Sequence, residues 1–83
     1  MASYEEIAGW FDRGIEQEAT HMIIVCDEFD HDDYPTYHPA CSTITAKTKV
    51  KYINQMSMQR VVEVYNLSKD KEEQLNRNIC FEY

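Results

Sequence analysis

Glycine is nearly absent: Gly9 and Gly14 are the only two in 83 residues. A glycine-rich phosphate loop, a nucleophile elbow and an EF-hand calcium loop each need glycine at fixed places, so all three are excluded. Proline is as scarce, at Pro35 and Pro39 alone. No repeat, low-complexity tract or flexible linker divides the chain. Bases are few, eight Lys and Arg against fifteen acids, for a net charge of −7. Simple nucleic-acid binding needs a basic footprint, and this composition does not supply one. The three cysteines (Cys26, Cys41, Cys80) are odd in number and widely spaced. With no apolar leader at the start, that usage predicts free thiols in a reducing, cytoplasmic setting. The longest apolar run is only a strand long, so no membrane span is predicted.

What is present suits one small domain, residues 1–83. A hydrophobic content of 43% is enough for a core, and six tyrosines dominate an aromatic content of 12%. A chain this short buries a limited share of its surface, which favours a homo-oligomer.

Ser3-Tyr4-Glu5-Glu6 reads as a capping box, and Ile7, Trp10, Phe11 and Ile15 follow at helical spacing. A helix is predicted over 4–17. Ile23, Ile24 and Val25 are consecutive and β-branched, which predicts a strand over 20–27 covered on both faces. Residues 34–38 read as the return arm of a hairpin, with Pro35 marking an edge. Residues 42–54 fit two patterns. Ile44, Ala46, Thr48, Val50 and Tyr52 alternate as in a strand; Ala46, Val50 and Ile53 form a helical stripe with Ser42 as cap. The helix is the reading taken, because the length suits a crossover. A third strand is predicted over 58–67, with Arg60, Val62 and Val64 on one face and Val61, Glu63 and Tyr65 on the other. A last helix is expected from a Ser68 cap to Arg77. The whole is an α+β fold in the order α-β-β-α-β-α, with about three strands.

Charge is unevenly spread. Residues 1–34 hold ten acids and one base, Arg13. Five of these acids (Asp27, Glu28, Asp30, Asp32, Asp33) surround Phe29 and His31, just past the apolar strand, and Tyr34, Tyr37 and His38 follow. A titratable, aromatic cluster held by a strand end is a common way to build a site. Cys26, His31, His38 and Cys41 are zinc-ligand types that a hairpin can bring together, but no closely spaced cysteine pair supports zinc. Cys26 or Cys41 beside His38 would be a nucleophile and base, with no local signature for that either. Cys26 lies in the apolar run and reads as a small buried hydrophobe. The residues therefore favour binding without catalysis, and no cofactor is implied. Asp27, Asp30 and Asp32 suit sugar or base donors. Tyr34, Tyr37, Phe29 and Tyr65 suit stacking, His31 and His38 suit donation, and Arg60, with one of Lys47, Lys49 or Lys51, suits a phosphate. The plain alternative is a solvated acidic turn, with Arg60 in a structural ion pair.

The segments Thr20–Asp27, Phe29–Pro35 and Met58–Ser68, with the first helix, resemble a family of small uncharacterised proteins of phage and bacterial genomes. The likeness covers most of the chain and is weakest over 42–57, where it too implies a helix. What it implies is a genomic setting and not a chemistry. By analogy, small acidic phage accessory proteins often block host defences, some by sequestering nucleotide immune signals and others by occupying a surface of a defence protein. The first expectation is thus a small nucleotide-derived ligand held by Asp27, Asp30, His31, Asp32, Tyr34, Tyr37, His38, Arg60 and Tyr65. The second is an acidic inhibitor or adaptor meeting a basic protein surface. A small metal-dependent hydrolase ranks third. Neither nucleic acid nor membrane is expected as a partner.

Overall fold

A computed structural model describes residues 2–83. Helix α1 spans Tyr4–Glu16 and opens with the predicted capping box: Ser3 Oγ accepts from the Glu6 amide at 3.2 Å, and Glu6 reaches back to the Ser3 amide. It stops at Gln17, and Glu18 takes the left-handed turn at φ 60°. Strand β1 (Ala19–Asp27) and strand β2 (Asp32–Pro39) form an antiparallel hairpin. Helix α2 (Ala46–Asn54) then crosses over to strand β3 (Gln59–Asn66), which pairs antiparallel with the other side of β1. Helix α3 (Lys71–Leu75) and a short tail complete the order α-β-β-α-β-α, and the sheet order is β2-β1-β3. This is the predicted α+β class.

The ambiguous middle segment is a helix. Ala46, Val50 and Ile53 are its buried stripe. Its cap is Thr45, not Ser42: the Thr45 hydroxyl accepts from the Thr48 amide at 3.1 Å. The last helix is shorter than predicted and is capped by Asp70, not Ser68. Ser68 instead spends its amide and hydroxyl on the Asn66 carboxamide. Asparagine two residues upstream offers an Asx-type turn, so the helix starts later.

Both faces of the sheet are covered. Met22 and Ile24 point toward α1 and α3, in a core with Phe11, Tyr65, Leu67, Leu75 and Cys80. Ile23 and Val25 point the other way, against Val50 and Ile53 of α2 and Val61 and Val64 of β3. Gly14 lets α1 lie close on the sheet, since a Cβ there would sit 2.7 Å from Leu67 and 2.9 Å from the Tyr37 ring.

The predicted face pattern of β3 needs correction. Ile24 lies opposite Glu63, but Val25 lies opposite Val61, so Val62 is an extra residue. This is a β-bulge, and it resets which side chains share a face. Arg60 lies opposite Cys26, and so joins Glu63 and Tyr65 on the α1 side. Strict alternation would have put Arg60 on the opposite face.

The sheet edges are closed by side chains and, on β3, also by the backbone of the tail. Pro35 removes a donor on β2, and the Lys49 ammonium donates to the Tyr37 carbonyl at 2.9 Å. On β3, the tail pairs with Val64 through the Cys80 carbonyl and the Glu82 amide. The buried Gln74 carboxamide works like one peptide unit of a further strand. It accepts from the Asn66 amide at 2.7 Å and donates to the Asn66 carbonyl at 2.9 Å. Gln74→Leu leaves the Asn66 amide buried without an acceptor, while the Asn66 carbonyl keeps the Lys69 amide at 3.1 Å. A loss of ~1–3 kcal/mol is therefore expected in urea unfolding, with an unchanged m-value.

Candidate ligand cleft

Helix α1 covers β1 and β2, whereas β3 is covered by a five-residue helix and the tail. Between the two covers lies a cleft of about 700 Å3. That falls within the roughly 300–1,000 Å3 of small-molecule sites. Ala2, Tyr4 and Ile7 form one wall, and Leu75, Ile79 and Phe81 the other. The floor is the sheet, with Cys26, Asp33, Arg60, Glu63 and Tyr65, and His31 stands at the hairpin end.

The floor residues differ in how far they are occupied. Tyr65 is buried, and its hydroxyl donates to Glu63 Oε2 at 2.8 Å. Burial, and then the Glu63 carboxylate, push the Tyr65 hydroxyl far above the usual phenol range, so it stays protonated and donates. Glu63 is half-buried and has no cationic partner among the described residues. Arg60 is exposed to the cleft and likewise has no carboxylate partner among them, so it is not the structural ion pair of the plain alternative. Arg77 also lines the cleft, but its guanidinium is held by Glu82 at 2.8 Å and Glu73 at 2.6 Å. Asp33 accepts from the Ala2 amide at 3.3 Å. Cys26 is half-buried beside Asp33 and Arg60, not sealed in the core as expected. Burial, then the Asp33 carboxylate, push its thiol up, while Arg60 opposes them. Held as a thiol, Cys26 is poorly suited to nucleophilic chemistry.

Of the nine residues singled out from the sequence, the fold brings His31, Arg60 and Tyr65 to this cleft. Asp27 ends β1, where its carboxylate accepts from the Phe29 amide at 2.9 Å and shapes the turn. Asp30 and Asp32 are exposed in and beside that turn. Tyr34 packs on the α2 side. Tyr37 lies under α1 and donates to the Trp10 carbonyl at 2.9 Å, so it is a structural strut. His38 is buried on the α2 side, paired in register with His21. Lys49 is spent on the β2 edge, away from Arg60. Cys26 and His38 are on opposite faces of the sheet, so the cysteine–histidine and zinc combinations do not assemble. Among the described residues no group of three or more His, Cys, Asp or Glu is placed to hold a metal ion. The sequence reading missed Asp33, Glu63, Tyr4 and Phe81 as cleft residues. The signal for Glu63 was the Val61-Val62 doublet, which interrupts the alternation and marks the bulge.

No family model, curated protein or solved structure matches this chain. No helix among the described residues is long and apolar enough to cross a membrane.

His38 has a further consequence for the molecule. Its Nδ1 is buried without a hydrogen-bond partner among the described residues. Burial first, then Lys49 of α2 and His21 of β1, hold its pKa below the ordinary 6.5. The unfolded chain therefore takes up the proton more readily than the folded one, and stability rises with pH. The His38 contribution is complete above about 6.5 and is lost as pH falls below it. Thermal midpoints measured from pH 7.5 to 5 should decline, and His38→Gln should flatten that decline. The tail titrates separately. Lys69 and Arg77 hold the Glu82 carboxyl down at about 2 from 4.5, so its share is present above 4.5 and lost only as pH falls toward 2.

Proposed function

We propose that this protein is a non-enzymatic binder of a small nucleotide-derived ligand, and that the ligand lies in the cleft over β3. One observation carries the reading. Arg60 and Glu63 share a face of the sheet and line the same cleft, yet neither meets an opposite charge among the described residues. An uncompensated, half-buried carboxylate is costly unless something that donates hydrogen bonds comes to it. A lone guanidinium at the mouth of an apolar cleft is suited to a phosphate. Tyr4 and Phe81, both about half exposed at 52% and 46%, supply faces on which a base can stack. Asp33 and Glu63 thus take the acceptor role first given to Asp27, Asp30 and Asp32.

The biological setting, a phage accessory protein that sequesters a host immune signal, rests on the sequence resemblance. A homo-oligomer belongs to the same reading, because the exposed rim of Tyr4, Ile79 and Phe81 is apolar surface that a second copy would cover.

Arg60→Ala removes the free cation without touching the core. It should abolish retention of phosphorylated nucleotides in equilibrium dialysis while leaving the thermal midpoint within a degree or two. Undiminished retention would remove Arg60, and with it the cleft, from the proposal.

A second reading, the acidic inhibitor or adaptor, is favoured by the hairpin tip. Phe29 is 75% exposed there, between Glu28 and Asp30. An aromatic anchor ringed by acids fits a basic surface with an apolar dent. That reading expects Phe29→Ala, and not Arg60→Ala, to abolish capture by a partner. It also expects the captured complex to dissociate steeply with added salt.

A further inference from the structure

The pairing of Arg60 with Glu63 narrows the ligand further, and the step rests on the nucleotide reading above. The two residues lie opposite Cys26 and Ile24, two positions apart along β1. Their Cα atoms are therefore ~7 Å apart along the strand direction, at about 3.4 Å per residue. At that spacing two opposite charges on one face ordinarily meet, but Glu63 turns to Tyr65 instead. The Tyr65 hydroxyl donates to Glu63 Oε2 and holds that oxygen on the β3 surface. Oε1 and the remaining lone pairs of Oε2 are left without a donor among the described residues. The cleft thus holds a tethered acceptor beside a cation with no carboxylate partner among the described residues.

We infer that the ligand is a guanine nucleotide with a single phosphate group, its base edge on Glu63 and its phosphate on Arg60. A carboxylate only accepts hydrogen bonds. The Watson–Crick edge of guanine offers two adjacent donors, N1–H and the N2 amino group, which match the two oxygens of one carboxylate. Adenine and cytosine offer one amino group next to a ring nitrogen whose lone pair would face the carboxylate. Uracil offers one N–H between two carbonyl oxygens. Each of these places an acceptor against Glu63, and the half-buried site makes that repulsion costly. Ile7, Val62 and Phe81 supply the apolar surface that a purine ring needs. The phosphate count follows from the cations. Arg77 is committed to Glu73 and Glu82, and Asp33 flanks Cys26 on the side away from Arg60, so a second phosphate would meet a carboxylate and no further unpaired cation among the described residues. Tyr65 is a positioning residue: it acts on the ligand through Glu63.

The test is isothermal titration of the full chain with guanosine 5′-monophosphate, adenosine 5′-monophosphate, uridine 5′-monophosphate and unphosphorylated guanosine. The guanine monophosphate should bind about tenfold or more tightly than the adenine and uracil ones, the discrimination expected of one good bidentate base contact. Guanosine should bind weakly, for want of the Arg60 contact. Glu63→Gln should erase the preference, weakening the guanine nucleotide about tenfold with little change for the adenine one. Tyr65→Phe keeps the ring and should narrow the same ratio without altering the contribution of the phosphate. Equal affinity for the three monophosphates in the unmodified protein would overturn the guanine assignment while leaving the nucleotide reading in place. Failure of all four compounds to bind at millimolar concentration would overturn both.

Discussion

The structure depends on one constraint: the centre of β1 is buried on both faces. Met22, Ile23, Ile24 and Val25 are each no more than 1% exposed. Burying four such side chains is worth ~6–12 kcal/mol at about 1.5–3 kcal/mol each, comparable to the whole net stability of a small domain. It requires cover on two sides from a chain of 83 residues. Helices α1 and α3 supply one side and α2 the other. The order β2-β1-β3 follows from the same need, because the central position is the one where a strand is flanked as well as covered.

A three-stranded sheet has two edges for every centre, and here side chains close β2 while a side chain and a short backbone bridge from the tail close β3. Pro35 and Lys49 blunt β2, while Gln74 and the tail finish β3. Such devices keep an open ladder from recruiting another chain. They also explain why a buried glutamine is tolerated: its amide makes hydrogen bonds to Asn66 and to the Asp70 carbonyl. A polar side chain so satisfied costs little to bury.

The cleft is the remainder of this economy of cover. Helix α3 is too short to roof the first half of β3, so that stretch of the sheet faces open space. The residues there are those that a covered face could not hold, a cation and a carboxylate. The bulge at Val62 puts them on one face, and Glu63 accepts from Tyr65 there, not from Arg60. Local packing, the bulge and two charges left unmated among the described residues thus coincide at one place.

Much of the fold was legible in the sequence, because its signals are local. The capping box of Ser3 and Glu6, the apolar run of β1, the Pro35 edge and the Ala46, Val50, Ile53 stripe each depend on residues a few positions apart. The elements and their order follow from these. The caps of α2 and α3 were misread because Ser42 and Ser68 had local competitors in Thr45 and Asp70. The site was less legible. Tyr34, Tyr37 and His38 are as aromatic and polar as a site requires, but the faces of the sheet assign them to packing. Glu63 looked like an ordinary strand residue, and only the register slip at Val62 brings it beside Arg60. Local sequence determined helices, strands and hairpin, since those arise from short-range hydrogen bonding and periodicity. Which charges stay unpaired, and on which face, was decided by tertiary structure, since it depends on pairing between strands more than thirty residues apart.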